Sequence, residues 1–154
     1  MQKFILVMLF LAFAYNSSAQ SKFPKNSISV NGFRNPSIGL EYQRNQISIH
    51  AGYYVTNFES GVTTEFFKTG LTYWVFPMEL SKSAHSPSSF YVSGSYAIGT
   101  SRDYKDQNAV IGEVGFKWFV WKGLNLRLGV AVLSAEDHEV KINPTPGINY
   151  SFFF

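Results

Sequence analysis

The end of this chain alternates between large apolar and small polar side chains. The large apolar residues stand at every second position and are Ile148, Tyr150, Phe152 and the terminal Phe154. Successive side chains of a β-strand point to opposite faces, so this pattern predicts a last strand with one apolar and one polar face. Such an apolar face is covered either by a protein core or by lipid, and the other strands decide between the two.

The first nineteen residues have the pattern of a secretory signal peptide. Lys3 supplies the basic start, residues 4–15 are almost wholly apolar, and Ser17 and Ala19 are the small residues of a cleavage site. The apolar run is shorter than the roughly 20 residues of a membrane-spanning helix. We therefore expect cleavage after Ala19 and a mature chain, residues 20–154, that forms a single domain.

The composition excludes several classes of site. The chain has no cysteine, which excludes disulfides, a lipid-modified N-terminal cysteine and a thiolate ligand or nucleophile. No zinc-like spacing of histidines and no phosphate-binding glycine loop is visible, so we expect neither a metal nor another cofactor. The net charge is +3 without a basic run, and we expect no nucleic-acid partner.

After the leader, period-two runs rich in Val, Ile, Tyr and Phe alternate with clusters of Gly, Asn, Ser and Pro. The later runs approach the roughly 9–11 residues that a tilted strand needs to cross a bilayer. The links at 56–64, 99–108 and 134–145 are long and polar. The predicted strands cover residues 27–33, 37–43, 46–55, 65–76, 89–99, 109–120, 124–133 and 146–154.

The large apolar residues of nearly every run lie on one face, while the other face carries Gly, Ser and isolated charges. In run 124–133, for example, Leu126, Leu128 and Val130 oppose Arg127 and Gly129. A water-soluble ligand-binding barrel has the reverse distribution, and the interior of one small barrel cannot hold so much apolar surface. The sequence therefore predicts an all-β fold, an eight-stranded antiparallel up-and-down transmembrane β-barrel whose outer face contacts lipid.

The leader, the eight alternating segments and the ending Gly147–Phe154 together resemble the small outer-membrane barrels of the OmpA/OmpX type. The Ala19–Gln20 junction is similar to those of proteins exported by Bacteroidota-type bacteria. The resemblance implies that Tyr150, Phe152 and Phe154 form the C-terminal signal read by the barrel-assembly machinery. It also implies integral residence in the bacterial outer membrane, in contact with outer-membrane lipid. Short and long links mostly alternate along the chain, and with the short turns facing the periplasm we expect both termini to be periplasmic.

The alternation of side chains along the predicted strands places six ionisable residues on the inner face of the barrel. An eight-stranded barrel is filled by side chains, so these charges need partners. A three-residue loop at 121–123 sets Lys117 opposite Arg127, a repulsive pair unless a carboxylate from another strand lies between them. We expect a filled, ion-paired core, and a narrow gated ion path is the alternative. The six residues are Glu41, His50, Lys68, Glu113, Lys117 and Arg127.

Two tight turns and one long link join strands at the predicted periplasmic end. A two-residue loop at 44–45 pairs Tyr42 with Ile47, and Gly123 takes the left-handed conformation that closes the 121–123 loop. The link at 77–88 has about a dozen residues, too many for a periplasmic turn. It is either a tolerated insertion or a contact site for a partner.

The outward aromatic residues form two girdles, as the two membrane interfaces require. Gly94 and Gly112 interrupt the apolar face of the fifth and sixth strands, where an outer-membrane protein partner could approach closely. The girdle residues are Tyr42, Tyr73, Phe90, Trp118, Phe152 and Phe154 at the periplasmic ends, with Tyr53 and Phe67 near the opposite rim.

The outer loops hold candidate residues for acyl transfer, namely Ser134, Asp137 and His138, with Ser101 and Asp103 on the preceding loop. Polar loop residues are ordinarily just solvated, so we expect no enzyme. The sequence favours a small integral outer-membrane barrel with a structural or accessory role, such as a subunit of a larger complex. The alternatives are a gated pore through the charged lumen and a loop-borne acyltransferase or protease.

Overall fold

The computed structural model describes residues 22–33, 37–59, 62–101, 105–135 and 139–154. The expected signal peptide, residues 1–19, lies outside these residues. In the described part of the chain all regular structure is β-strand, and no helix there is long and apolar enough to cross a membrane.

The strands are long in the middle of the chain and short at its start. They are β1 (Ser27–Gly32), β2 (Ile38–Arg44), β3 (Ile47–Glu59), β4 (Val62–Met78), β5 (Ser88–Gly99), β6 (Asn108–Trp121), β7 (Leu124–Ala135), β8 (Lys141–Pro144) and β9 (Gly147–Phe153). Both β8 and β9 pair with β7 in one continuous register, so they are two halves of a single strand. The break falls between them at Pro144 and Pro146, which have no N–H to donate to a neighbouring strand.

When β8 and β9 are taken as one strand, each strand is antiparallel to its neighbours in sequence, and β9 pairs with β1, so the sheet closes on itself. The register is strongly staggered. Ser27 pairs directly with Phe153 on β9. When the pairing is followed the other way around the barrel, from β1 through β2 to β7, Ser27 leads instead to Asn143 on β8. The two end points on the last strand differ by about ten residues, which is the stagger of the closed sheet. Closure with such a stagger tilts the strands by roughly 40°. The predicted closed, antiparallel, up-and-down barrel of eight strands is confirmed.

Two of the predicted polar links are partly strand. β3 continues to Glu59 and β4 begins at Val62, so the predicted link at 56–64 is wrong, and β8 occupies residues 141–144 of the predicted link at 134–145. The residues of both segments lack apolar alternation, but strand pairing needs only backbone hydrogen bonds, which polar sequences form equally well.

Both predicted tight turns differ in detail from the observed ones. Arg44 stays in β2 and pairs with Ile47, so the loop is Asn45–Gln46 and Tyr42 pairs with Ile49 instead of Ile47. Asn45 takes the left-handed conformation (φ 53°), which asparagine tolerates. The shift is two residues, so every side chain keeps its predicted face.

In the 121–123 loop the left-handed residue is Lys122 (φ 46°) and not Gly123. Gly123 is required for another reason, because a Cβ there would lie 2.1 Å from the carbonyl oxygen of Ser151. The predicted pairing of Trp118 with Leu126 is present.

The long link between β4 and β5 folds back onto the β6–β7 turn. The backbone N–H of Lys122 donates to the carbonyl of Ser83 at 2.7 Å, and the N–H of His85 donates to the carbonyl of Lys122 at 3.1 Å. The Ser81 hydroxyl donates to the carbonyl of Val120 at 2.8 Å. The link is thus part of one barrel end, and a partner contact there stays a prediction.

Burial alternates along the strands, and the exposed positions are the apolar ones. Leu128 in the middle of β7 is 67% exposed and Ile142 on β8 is 70% exposed, whereas Arg127, next to Leu128, and Asn125, further along β7, are buried. The outer wall is therefore apolar, and the interior holds the charges.

Candidate functional site

The six ionisable residues of the inner face all lie inside the barrel and are buried. They come from five strands: Glu41 on β2, His50 on β3, Lys68 on β4, Glu113 and Lys117 on β6, and Arg127 on β7. The barrel brings them into two ion-paired groups and one histidine held by hydroxyls.

The first group is centred on Glu41. Lys117 and Arg127 are register partners on β6 and β7, and both reach the carboxylate of Glu41 from across the bore. Arg127 Nη1 lies 2.9 Å from Glu41 Oε2, and Lys117 Nζ lies 3.5 Å from Glu41 Oε1. A single carboxylate therefore separates two like charges that the strand register forces together.

Two buried aromatic rings complete this group. Lys117 Nζ lies 4.5 Å from the centroid of the Trp74 ring, and Arg127 Cζ lies 4.5 Å from that of Tyr91. Cations over aromatic faces are stabilised by the ring quadrupole, more strongly when water is absent. Trp74 and Tyr91 were not among the predicted lumen residues. The alternation along the strands could have indicated them. Trp74 lies two residues after Thr72 and Tyr91 lies two residues before Ser93, and both of these polar residues are buried on the inner face.

The second group is centred on Glu113. Lys68 Nζ lies 3.5 Å from Glu113 Oε2, and the hydroxyls of Tyr91 and Thr145 donate to Glu113 Oε1 at 2.5 and 3.0 Å. These contacts join β4, β5, β6 and the segment between β8 and β9. The bore of the described residues thus holds three cations against two carboxylates.

The ring of Tyr91 fits because two glycines face it. Gly115 and Gly129 are register partners, and a Cβ on either would lie 2.6 Å from the Tyr91 hydroxyl oxygen. The pair forms a cradle that lets Tyr91 reach both Arg127 and Glu113.

His50 sits between two hydroxyl side chains. Its Nε2 lies 2.9 Å from the Ser95 hydroxyl oxygen and its Nδ1 lies 3.2 Å from that of Thr72. In a catalytic triad a carboxylate orients the imidazole, and here the second partner is a hydroxyl. Ser95 is also buried, and both ring nitrogens of His50 have hydrogen-bond partners.

One end of the bore is filled by an apolar cluster that the sequence reasoning missed. Its large members are Tyr54, Phe66, Ile111 and Leu133, packed with Ala97, Ala109, Ala131 and Ala135. The Asn143 amide donates to the Tyr54 hydroxyl at 2.6 Å, which ties β8 to β3. These side chains fill the bore next to the charged groups, so the two layers together form a packed interior.

The candidate acyl-transfer residues are only partly described. Ser134 is exposed near the end of β7, and the Ser101 hydroxyl accepts a hydrogen bond from the backbone N–H of Glu65 at 3.0 Å. Asp103, Asp137 and His138 lie outside the described residues. Among the residues that are described, no cluster of three or more His, Asp or Glu side chains could hold a metal ion.

The C-terminal aromatic residues project outward. Tyr150, Phe152 and Phe154 are exposed, and the rings of Tyr150 and Phe152 lie 5.0 Å apart. Gly94 and Gly112 are register partners on β5 and β6, and a Cβ on either would meet no atom within 4 Å. They form a flat patch on the outer wall, and a partner at this patch stays a prediction.

Comparison of the chain with protein-family profiles, with curated proteins and with solved structures finds no match. The barrel, its apolar wall and its charged interior are therefore the features from which a function can be inferred.

Proposed function

We propose that this chain is a small integral β-barrel of a bacterial outer membrane, with a structural or accessory role and no catalysis. The observation that carries the proposal is the inverted distribution of polarity. Glu41 and Lys117 are each 1% exposed, while large apolar side chains such as Leu128 and Ile142 are about two-thirds exposed.

Water favours the opposite arrangement. Exposed apolar surface costs free energy in water, and buried charges cost more unless they are paired. In a bilayer the apolar wall contacts acyl chains instead, and the closed sheet satisfies the backbone hydrogen bonds that hydrocarbon cannot. Exposed aromatic residues near both ends of the wall, such as Trp118 and Phe67, fit the two interfaces.

The interior favours a structural role over a conduit. Glu41 and Glu113 are each bonded to side chains from at least two other strands, and the cluster around Phe66 fills the bore beside them. An ion path would have to break these buried pairs and displace packed apolar side chains. The flat outward patch at Gly94 and Gly112 supports an accessory role beside another membrane protein.

Fractionation of a diderm bacterium that expresses the full chain tests the membrane assignment. We expect the protein in the outer-membrane fraction, resistant to carbonate extraction and migrating differently on gels before and after boiling. A mature chain that is freely water-soluble and monomeric without detergent would contradict the proposal.

A pull-down from mild detergent tests the accessory role separately. A stoichiometric partner that is lost on Gly94→Trp/Gly112→Trp substitution, with the barrel still folded, supports an accessory subunit. A barrel that is always purified alone supports a purely structural role.

A further inference from the structure

A cleft opens on the outer wall beside the β2–β3 turn, at the end of the barrel where both described chain ends lie. Its volume is about 570 Å³, within the range of small-molecule sites. It is lined by Tyr42, Arg44, Asn45, Gln46, Ile47, Ile49, Leu71 and Tyr73.

The strand register orders these residues along the barrel axis. Arg44, Ile47 and Tyr73 form one row across three strands. Tyr42, Ile49 and Leu71 form the next row on the same face, nearer the middle of the barrel. The cleft therefore begins with a cation and a tyrosine at the barrel end and continues as an aliphatic wall.

The cation at the mouth is available for a ligand. Arg44 is exposed, and within the described residues its guanidinium has no ion pair or hydrogen bond. The Tyr42 hydroxyl donates to the Asn26 side chain at 2.8 Å, which holds that ring at the side of the cleft. A guanidinium matches the geometry of a phosphate, to which it can donate two parallel hydrogen bonds.

We propose that this cleft binds one anionic phospholipid. The phosphate lies on Arg44, and an acyl chain runs along Ile47, Ile49 and Leu71. This inference rests on the proposed membrane location. The ligand is a lipid and not a free anion because a free anion would leave the aliphatic wall of the cleft uncovered. From the barrel end inward, the cleft presents a cation, then an aromatic ring and then an aliphatic wall. This order matches the headgroup, the interface and the acyl chains of one membrane leaflet.

Lys122 provides a matched control. It is an exposed cation at the same barrel end, on the β6–β7 turn, and its Nζ lies 4.6 Å from the Trp121 ring centroid. Lys122 does not line the cleft. Replacing it removes the same charge from the same interface without changing the cleft.

The test measures binding of phosphatidylglycerol and phosphatidylcholine to the mature barrel in detergent by native mass spectrometry. We expect phosphatidylglycerol to bind about fivefold more tightly, as one basic residue near a lipid headgroup predicts. Arg44→Gln should abolish this preference, and Lys122→Gln should keep it. Leu71→Trp, which fills the cleft and keeps the charge, should weaken the binding of both lipids.

Equal loss of the preference in Arg44→Gln and Lys122→Gln would overturn the proposal in favour of general surface charge. Inorganic phosphate that displaces phosphatidylglycerol at equal concentration would overturn it in favour of a simple anion site. The gel shift on boiling reports folding of each variant. Failure of the membrane assignment would appear as a soluble wild-type chain, whereas failure here leaves an inserted barrel without lipid preference.

Discussion

Lys117 and Arg127 are paired directly across β6 and β7, so two like charges meet in the interior of the barrel. Glu41, from β2 on the far side of the bore, lies within 3.5 Å of both charged groups. The strand register creates the repulsion, and closure of the barrel brings the carboxylate that relieves it. This triad therefore links the stability of β6 and β7 to that of β2.

Replacing Glu41 by Gln removes the shared charge at constant size and leaves two buried cations without their carboxylate. We expect the free energy of unfolding to fall by about 3–5 kcal/mol. Urea titration of the refolded barrel in vesicles, followed by tryptophan fluorescence, measures the change as a lower midpoint. The double variant Glu41→Gln/Lys117→Met should recover part of the loss, and a wild-type midpoint in Glu41→Gln would refute the role of the triad.

Substituting Gly115 by alanine places a Cβ 2.6 Å from the Tyr91 hydroxyl and from the backbone oxygen of Leu128. We expect a cost of about 1–3 kcal/mol, because the packed ring cannot move without losing its contacts. Gly94→Ala is the matched control on the outer wall, where the new methyl group meets no atom, and it should change stability by less than about 0.5 kcal/mol. Equal effects of the two substitutions in the same urea titration would contradict the cradle.

A charge on the outer wall should cost more in the middle of the barrel than at its end. Leu128→Arg, in the middle of β7, should lower the unfolding free energy in vesicles by about 2–4 kcal/mol, and Ser134→Arg, near the end of the same strand, by about 0–1 kcal/mol. If both arginines cost the same, lipid does not surround this wall.

The packed bore should not conduct. In planar bilayers at high salt, the purified barrel is expected to give no steady current, since ion pairs and the cluster around Phe66 fill the interior. A reproducible current whose size changes in Glu41→Gln would instead favour the gated pore.

The barrel itself was predictable because its signal is local. Period-two alternation sets the face of each side chain, and a turn error of two residues at Asn45 leaves that face unchanged. The pairing of Lys117 with Arg127 could be predicted in the same way, because a single short turn joins their two strands.

The parts that could not be predicted depend on closure or on backbone bonding. The partner of Lys117 comes from β2, more than seventy residues away, and only the stagger of the whole barrel brings it there. The apolar cluster at Phe66 gathers residues from five strands in the same way. The end of β3 and the start of β4, residues 56–59 and 62–64, have no apolar alternation by which they could be predicted. Backbone hydrogen bonds between polar segments leave no pattern in the sequence.

The pairing of β9 with both β1 and β7 has a consequence for biogenesis. Its seven residues, Gly147–Phe153, supply the hydrogen bonds that join the first strand to the rest of the wall near the barrel end. A polypeptide that ended before Gly147 would leave β1 and part of β7 without their pairing partner, and these two unpaired sheet edges would be open to aggregation and proteolysis.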